Sequence, residues 1–163
     1  MSVAAPPSPR GFAAIGLFRP KTPQNVGGVL RAAHVYGAAM VAIQGDRTPV
    51  RSHQDTTKAY RHIPILRGDD LFALSPFDCV PVAVDLVDGA TSLPFFVHPE
   101  RAFYVFGPED GTLGRQHLDR CRHRVMVPTR YCMNLAATVN VVLYDRAAKA
   151  ARASHAPAHE VAA

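Results

Sequence analysis

Tryptophan is absent, and cysteine is scarce: Cys79, Cys121 and Cys132 are an odd number without paired spacing. A disulfide framework is thereby excluded, and reduced thiols in a cytoplasmic protein are expected. Without tryptophan, any stacking of bases would rest on phenylalanine and tyrosine. Acidic residues are outnumbered, 13 against 18 basic ones, for a net charge of +5. That sign suits a polyanionic partner such as RNA. Long hydrophobic runs are missing too. Stretches such as 38–43 fall far short of the ~20 residues a membrane span needs, so no membrane association is expected. The N-terminal MSVAAPPSPRGF holds three prolines and no apolar core, unlike a secretory leader. No internal repeat is visible.

What is present is ordinary globular composition, 48% hydrophobic and 19% charged over 163 residues. This is one domain's worth of chain. The Ala/Pro/Ser-rich residues 1–11 and the tail 153–163 read as flexible ends around a single domain at 12–152. Between them, short apolar runs alternate with helical patterns. Strands are expected at 13–18, 39–44, 62–66, 79–85, 102–107 and 124–127, and helices at 22–36, 68–74, 113–120 and 134–152. Runs such as VPVAV and FYVF are continuously apolar, as strands buried on both faces are. The alternation implies an α/β fold: a mostly parallel sheet with helices on both faces. Ligands of such sheets sit beyond the carboxyl ends of the strands, which directs attention to the loops after Phe18, Asp85, Phe106 and Val127.

Three segments carry chemistry. In FRPKTPQNVGGVLRAAHVYG, Thr22–Pro23 starts a helix whose buried face is Val26, Val29, Leu30 and Ala33. Gly27 and Gly28 are costly inside a helix, so either another helix or a ligand approaches the backbone there. Asn25 lies among the unpaired amides of the first turn, and Arg31 lies off the apolar stripe. In YVFGPEDGTLG, a buried strand runs into two glycines, Gly107 and Gly111, which expose bare backbone; Glu109 puts a carboxylate between them. The segment lacks the Gly-Lys-Ser/Thr ending of a P-loop. In VMVPTRYCMNLAATVNVVLYD, a strand ends at Pro128, Cys132 and Met133 follow, and Asn134 takes the N-cap of a long helix. His117, Cys121 and His123 lie close in sequence but lack an evident fourth ligand, so no metal is expected. Asp85 and Asp88 flank a turn within reach of a ligand's ribose.

Together and in this order, the segments resemble the SpoU/TrmH-type members of the SPOUT methyltransferase superfamily. The correspondence runs from Asn25 and Gly27 to Arg31, through Phe106, Gly107 and Glu109, to Cys132, Met133 and Asn134. It spans residues 13–148, nearly the whole folded chain. Two features depart from the pattern. Cys132 stands where the family usually has serine, and the loop between Pro128 and Cys132 is short.

The resemblance implies a C-terminal trefoil knot, S-adenosylmethionine as methyl donor, and a homodimer with its sites at the subunit interface. Leu86, Gly107, Glu109, Gly111, Val127, Cys132 and Met133 would hold the donor. Arg31, Asn25, Glu109 and Asn134 would be the catalytic group, methylating a ribose 2′-hydroxyl in RNA. The short form favours tRNA, including its wobble position, over rRNA. A guanidinium keeps its proton, so Arg31 is read as gripping a phosphate and stabilising a developing alkoxide rather than as a base. Arg47, Arg51, Lys58, Arg61 and Arg67, with Arg115, Arg120, Arg122, Arg124 and Arg130, are read as the RNA-gripping charges. The alternatives are base methylation by the same fold and a non-catalytic RNA-binding module with a vestigial donor pocket.

Overall fold

The computed structural model describes residues 11–45, 55 and 57–155. Strand β1 (Phe12–Phe18) leads to α1 (Pro23–Val35) and β2 (Met40–Gln44). Then come β3 (Ile65–Gly68), β4 (Val80–Val84), the two-residue β5 (Thr91–Ser92) and β6 (Arg101–Phe106). Helix α2 (Arg115–Leu118), β7 (His123–Met126) and α3 (Leu135–His155) complete the chain. The strands form one sheet in the order β3-β2-β1-β6-β4-β7-β5, parallel throughout.

Alternation along the central strands divides the core into two layers. Ile15, Leu17, Tyr104 and Phe106 face α1 and α3, where they meet Val26, Val29, Leu30, Val139 and Val142. Ala14, Phe103 and Val105 face the other way, toward Leu71, Leu113 and Cys121. That second face is covered lightly, by α2 and a 3-10 turn at Leu71–Leu74. Both sides of the sheet are thus covered, as the continuous apolar runs imply.

The approach expected at the α1 glycines is that of a helix. A Cβ on Gly28 would lie 2.7 Å from the Cβ of Ala136 on α3, so glycine lets the two helices touch there. Farther along α3, a buried polar cluster pins the helix to the strands. Arg146 donates to the carbonyls of Pro99 at 2.7 Å and Glu100 at 2.6 Å, and to the Tyr104 hydroxyl at 3.1 Å. His98 bridges that hydroxyl (2.6 Å from Nδ1) and Asp145 (2.8 Å from Nε2). Because the Asp145 carboxylate only accepts, Nε2 carries the proton and Nδ1 accepts from Tyr104. Lys149 completes the cluster, 2.6 Å from Asp145.

Several element boundaries differ from the sequence expectation. The strand expected at 62–66 lies at Ile65–Gly68, following a 3-10 turn at Ala59–Arg61. That turn is organised by the buried Asp55, whose carboxylate accepts the Ala59 N–H at 2.9 Å. The helix expected at 68–74 is only the Leu71–Leu74 turn, with Asp70 accepting the Phe72 N–H at 3.0 Å. The helix expected at 113–120 shrinks to Arg115–Leu118, since Gly114 at φ +73° cannot begin it in helical conformation. The last helix runs on to His155, three residues past the expected 152. Residues 1–10 and 156–163, read above as flexible, lie outside the described residues, as do Arg47 and Arg51.

Candidate active site

Three strands, β4, β6 and β7, end side by side, and a cleft opens among the loops that leave them. Leu86 enters it from the turn after β4. Gly107, Glu109 and Gly111 come from the loop after β6, and Val127, Cys132 and Met133 from the loop after β7. All seven residues expected at the donor therefore line a single cleft. Its other lining includes Asp85, Thr129, Leu135 and Thr138. Leu86, Val127, Met133 and Leu135 give it apolar walls, and the loop backbones give it hydrogen-bonding edges. This mixture suits a nucleoside with an apolar appendage.

Glycine at Gly107 has a geometric cause. A Cβ there would stand 3.2 Å from the backbone nitrogen of Leu113, where the loop folds back on itself. Asp85 secures that return: its carboxylate accepts the Leu113 N–H at 2.7 Å and the Leu86 N–H at 2.8 Å. Its own N–H donates to Val125 of β7 at 3.0 Å. Asp85, considered above as a ribose contact, thus ties the loops after β4 and β6 to each other and to strand β7.

Beside the cleft, Glu109 reaches the start of α1. One carboxylate oxygen accepts from Asn25 Nδ2 at 2.7 Å, the Thr22 hydroxyl at 3.0 Å and the Thr22 N–H at 3.2 Å. The other accepts the Lys21 N–H at 2.8 Å. Thr22 holds the N-cap position, but its hydroxyl is turned to Glu109 rather than to the helix amides. A carboxylate from a distant loop therefore faces the positive end of the 13-residue α1. Burial pushes the Glu109 carboxyl up, yet the donors from Asn25, Lys21 and Thr22 outweigh it and hold the group below its ordinary value.

The ionised Glu109 orients the next two side chains. Asn25 must present its NH2 to the carboxylate, which leaves its carbonyl to accept from Asn134 Nδ2. Asn134 in turn points its carbonyl at the first amides of α3, accepting from Ala136 at 2.9 Å and Ala137 at 3.3 Å. Capping and site-building are one arrangement: Asn134 caps α3 with one end of its amide and joins Asn25 with the other.

Arg31 stands apart. It is exposed on α1, does not line the cleft, and makes no hydrogen bond or ion pair among the described residues. Of the other arginines, Arg120 pairs with Asp70 at 2.8 Å, and Arg124 with Asp119 at 3.1 Å. Arg115 lies 3.8 Å from the same Asp119. Arg122 and Arg130 are exposed without an ion pair among the described residues. The three residues weighed for a metal are packed in separate surroundings. The His117 ring lies 4.0 Å from Phe18, and the His123 ring 5.6 Å from Phe96. Cys121 is buried, which pushes its thiol up to about 12. Sequence reasoning missed the polar cluster at Tyr104. Its only signal was a tyrosine inside an otherwise apolar strand and an Asp-Arg pair inside an apolar helix.

A parallel α/β sheet with its cleft at the carboxyl ends of the strands, and Asn, Glu and Asn linked beside it, defines a ligand-binding protein of the α/β class. The chain belongs to the SpoU rRNA Methylase family, whose model matches residues 13–144. No curated protein sequence matches it. Among solved structures, it is similar to the SpoU methyltransferase AviRb from Streptomyces viridochromogenes in complex with AdoMet. The identity is 20% and the TM-score 0.76, over 89% of this chain and 62% of that one. The chain thus spans about three fifths of that relative's length. A structure described as giving insights into the 2-OH methylation of C/U34 on tRNA matches at 22% identity and TM-score 0.72. It covers 88% of this chain and 99% of that one. The A. aeolicus TrmH/SpoU tRNA modifying enzyme matches at 11% identity and TM-score 0.78, over 90% and 79%. Identities this low speak for the shared fold.

Proposed function

We propose that this protein is an S-adenosylmethionine-dependent RNA methyltransferase acting on a ribose 2′-hydroxyl, with tRNA favoured over rRNA. The observation that carries this reading is the Glu109–Asn25–Asn134 hydrogen-bond chain at the rim of the cleft. It joins all three motif segments, from positions 84 and 109 residues apart, at one edge of a cleft with nucleoside-like chemistry.

S-adenosylmethionine, when bound, supplies an electrophilic methyl group on a sulfonium. The apolar walls at Leu86, Val127 and Met133 would hold its adenine, with the backbone at Gly107 and Gly111 close by. Asn25 and Asn134, locked by Glu109, would order the floor on which the ribose hydroxyl lies. Such rigid alignment is worth much of the rate in an in-line displacement. Arg31 would grip the neighbouring phosphate and stabilise the alkoxide as it forms. Since Arg31 does not line its own chain's cleft, this reading has it serve the cleft of a second copy. The exposed Val35 of α1 and Tyr144 of α3 would supply apolar contact in that homodimer. The strand order β6-β4-β7, which brings the chain back across β4 before α3, supports the knotted path the resemblance implies. Of the described arginines read as flanking the second and third segments, Arg122 and Arg130 are left without ion pairs to meet RNA phosphate. No described helix is long and apolar enough to cross a membrane, and a cytoplasmic site of action accords with reduced thiols.

The test is incubation with labelled S-adenosylmethionine and, separately, unmodified tRNA and rRNA, followed by identification of the methylated nucleoside by mass spectrometry. A 2′-O-methyl nucleoside in the tRNA pool is the expected outcome. A base-methylated product would overturn the reaction while keeping the donor site. Donor binding with RNA binding but no product in any pool would favour the non-catalytic reading.

A further inference from the structure

A second cleft opens at the carboxyl ends of β1 and β2, between Phe18, Arg19, Gln44, Asp69, Gln116 and His117. It lies on the sheet face away from α1 and α3, since Phe18 packs with Leu71 and Phe72 in the second core layer. Its floor is aromatic. The His117 ring sits 4.0 Å from Phe18 and 6.1 Å from Phe72, and its Nδ1 is buried without a partner among the described residues. Its rim is polar and unengaged. Arg19, Asp69 and Gln116 are exposed, and their side chains make no hydrogen bond or ion pair among the described residues. Gln44 uses its carbonyl to accept the Leu71 N–H at 3.1 Å, which leaves its NH2 unpaired there. Arg19 is held in left-handed backbone, φ +47°, with its N–H donating to the Gln44 carbonyl at 2.9 Å. Non-glycine residues take that conformation at a cost and only when their surroundings impose it.

Two chain segments connect the clefts. Residues 19–22 run from the second cleft to Glu109, where Lys21 donates its N–H at 2.8 Å. Residues 107–117 run from the first cleft, past the Asp85 tie at Leu113, to Gln116 and His117. The Phe18 and His117 rings are tilted 46° to each other, so a ring entering the cleft would stack on one of them and meet the edge of the other. A rim with donors at Arg19 and Gln44, an acceptor at Asp69 and both at Gln116 matches the mixed edge of a nucleobase. A bare phosphate would meet the Asp69 carboxylate and is disfavoured.

We propose that this second cleft is a nucleobase subsite, holding a base of the RNA that neighbours the methylated nucleotide. The proposal rests on the RNA reading above and assigns that substrate a second point of contact. The direct probe is each of the four nucleoside 5′-monophosphates, titrated into protein saturated with S-adenosylhomocysteine so that the first cleft is filled. Side-chain amide NMR signals of Gln44 and Gln116 report binding. At least one nucleotide is expected to shift both signals in the wild type. Asp69→Ala should weaken that binding about tenfold, read at Gln44, as expected for losing a charged hydrogen-bond acceptor. S-adenosylhomocysteine affinity serves as the folding control for this exposed position. No shift with any nucleotide, or the same affinity in Asp69→Ala, would overturn the subsite. Its failure is separable from that of the proposed activity. If RNA is methylated and Asp69→Ala and Gln116→Ala leave kcat/KM unmoved, the subsite alone falls. If no RNA is methylated but the shifts and their loss in Asp69→Ala are seen, the activity falls and the base site stands.

Discussion

Two polar networks hold α3, and they differ in what surrounds them. At its N-terminus, Asn134 joins Asn25 and Glu109 in the open, beside the cleft. Midway along it, Asp145, Arg146 and Lys149 engage His98 and Tyr104 beneath the helix, where Tyr104 is fully buried. Both chains of donors and acceptors run in one direction, fixed in each case by a carboxylate that can only accept. The buried one has every neighbour it will ever have, so it can only hold the fold. The open one is held just as firmly but faces a space where something else can bind. Chemistry is expected where a rigid polar network borders an unfilled cleft.

The buried network should show the largest effect when broken. Arg146→Ala would strand the carbonyl of Pro99, leave that of Glu100 with only the Phe12 N–H, and remove a partner of the Tyr104 hydroxyl. A loss of about 3 kcal/mol of unfolding free energy is expected in denaturant titration. The open network should answer differently. Glu109→Gln keeps the shape but replaces one acceptor oxygen with a donor facing Asn25 or the Lys21 and Thr22 amides. Methylation of RNA is expected to fall ~10- to 100-fold, with the melting temperature lowered much less than in Arg146→Ala. A variant that lost stability in proportion to activity would erase the distinction between the two networks.

Acid should separate them on one titration. Burial lowers the His98 pKa from the ordinary 6.5, more than the Asp145 carboxylate raises it. Unfolded chain therefore takes up that proton more readily than folded chain. The contribution of neutral His98 is complete above pH 6.5 and is lost as pH falls toward its folded pKa. Glu109 is lowered from 4.5, so its contribution is complete above pH 4.5 and is lost only below that. Melting temperature should begin to decline below pH 6.5, and His98→Gln should flatten the segment between the two values. A decline of the same size and position in that variant would remove His98 from the account. The smallest effect is expected at Cys132. Its side chain is exposed and makes no hydrogen bond among the described residues, so Cys132→Ser should change kcat/KM by no more than about threefold.

How much of this was legible in the sequence depended on burial. The central strands are read almost to the residue, because 13–18 and 102–107 are apolar on both faces and end at Arg19 and Gly107. Edge strand β3 was displaced, because Leu66 and Arg67 are exposed and give no apolar face to read. β5 was invisible at two residues. The turn at Leu71–Leu74 looked helical because its apolar side chains do cover the sheet, but with a single turn of backbone. At the site, each motif residue was recognisable by type. Their union was legible only through the family resemblance, because Asn25, Glu109 and Asn134 are brought together by strand order rather than by spacing. The tether of Asp85 to Leu113 and the His98 bridge were missed for the same reason: backbone amides and buried hydroxyls as partners leave no pattern in the sequence.

The close packing of Gly28 against Ala136 has a consequence for how the protein is made. Translation delivers Asn25 and Glu109 well before Asn134, which is useful only once α3 has docked against α1. A nascent chain halted after β7 would carry the first two motifs in full and still lack the side chain that completes the Asn25 hydrogen-bond chain. Docking of the last helix is thus the step that completes this hydrogen-bond chain.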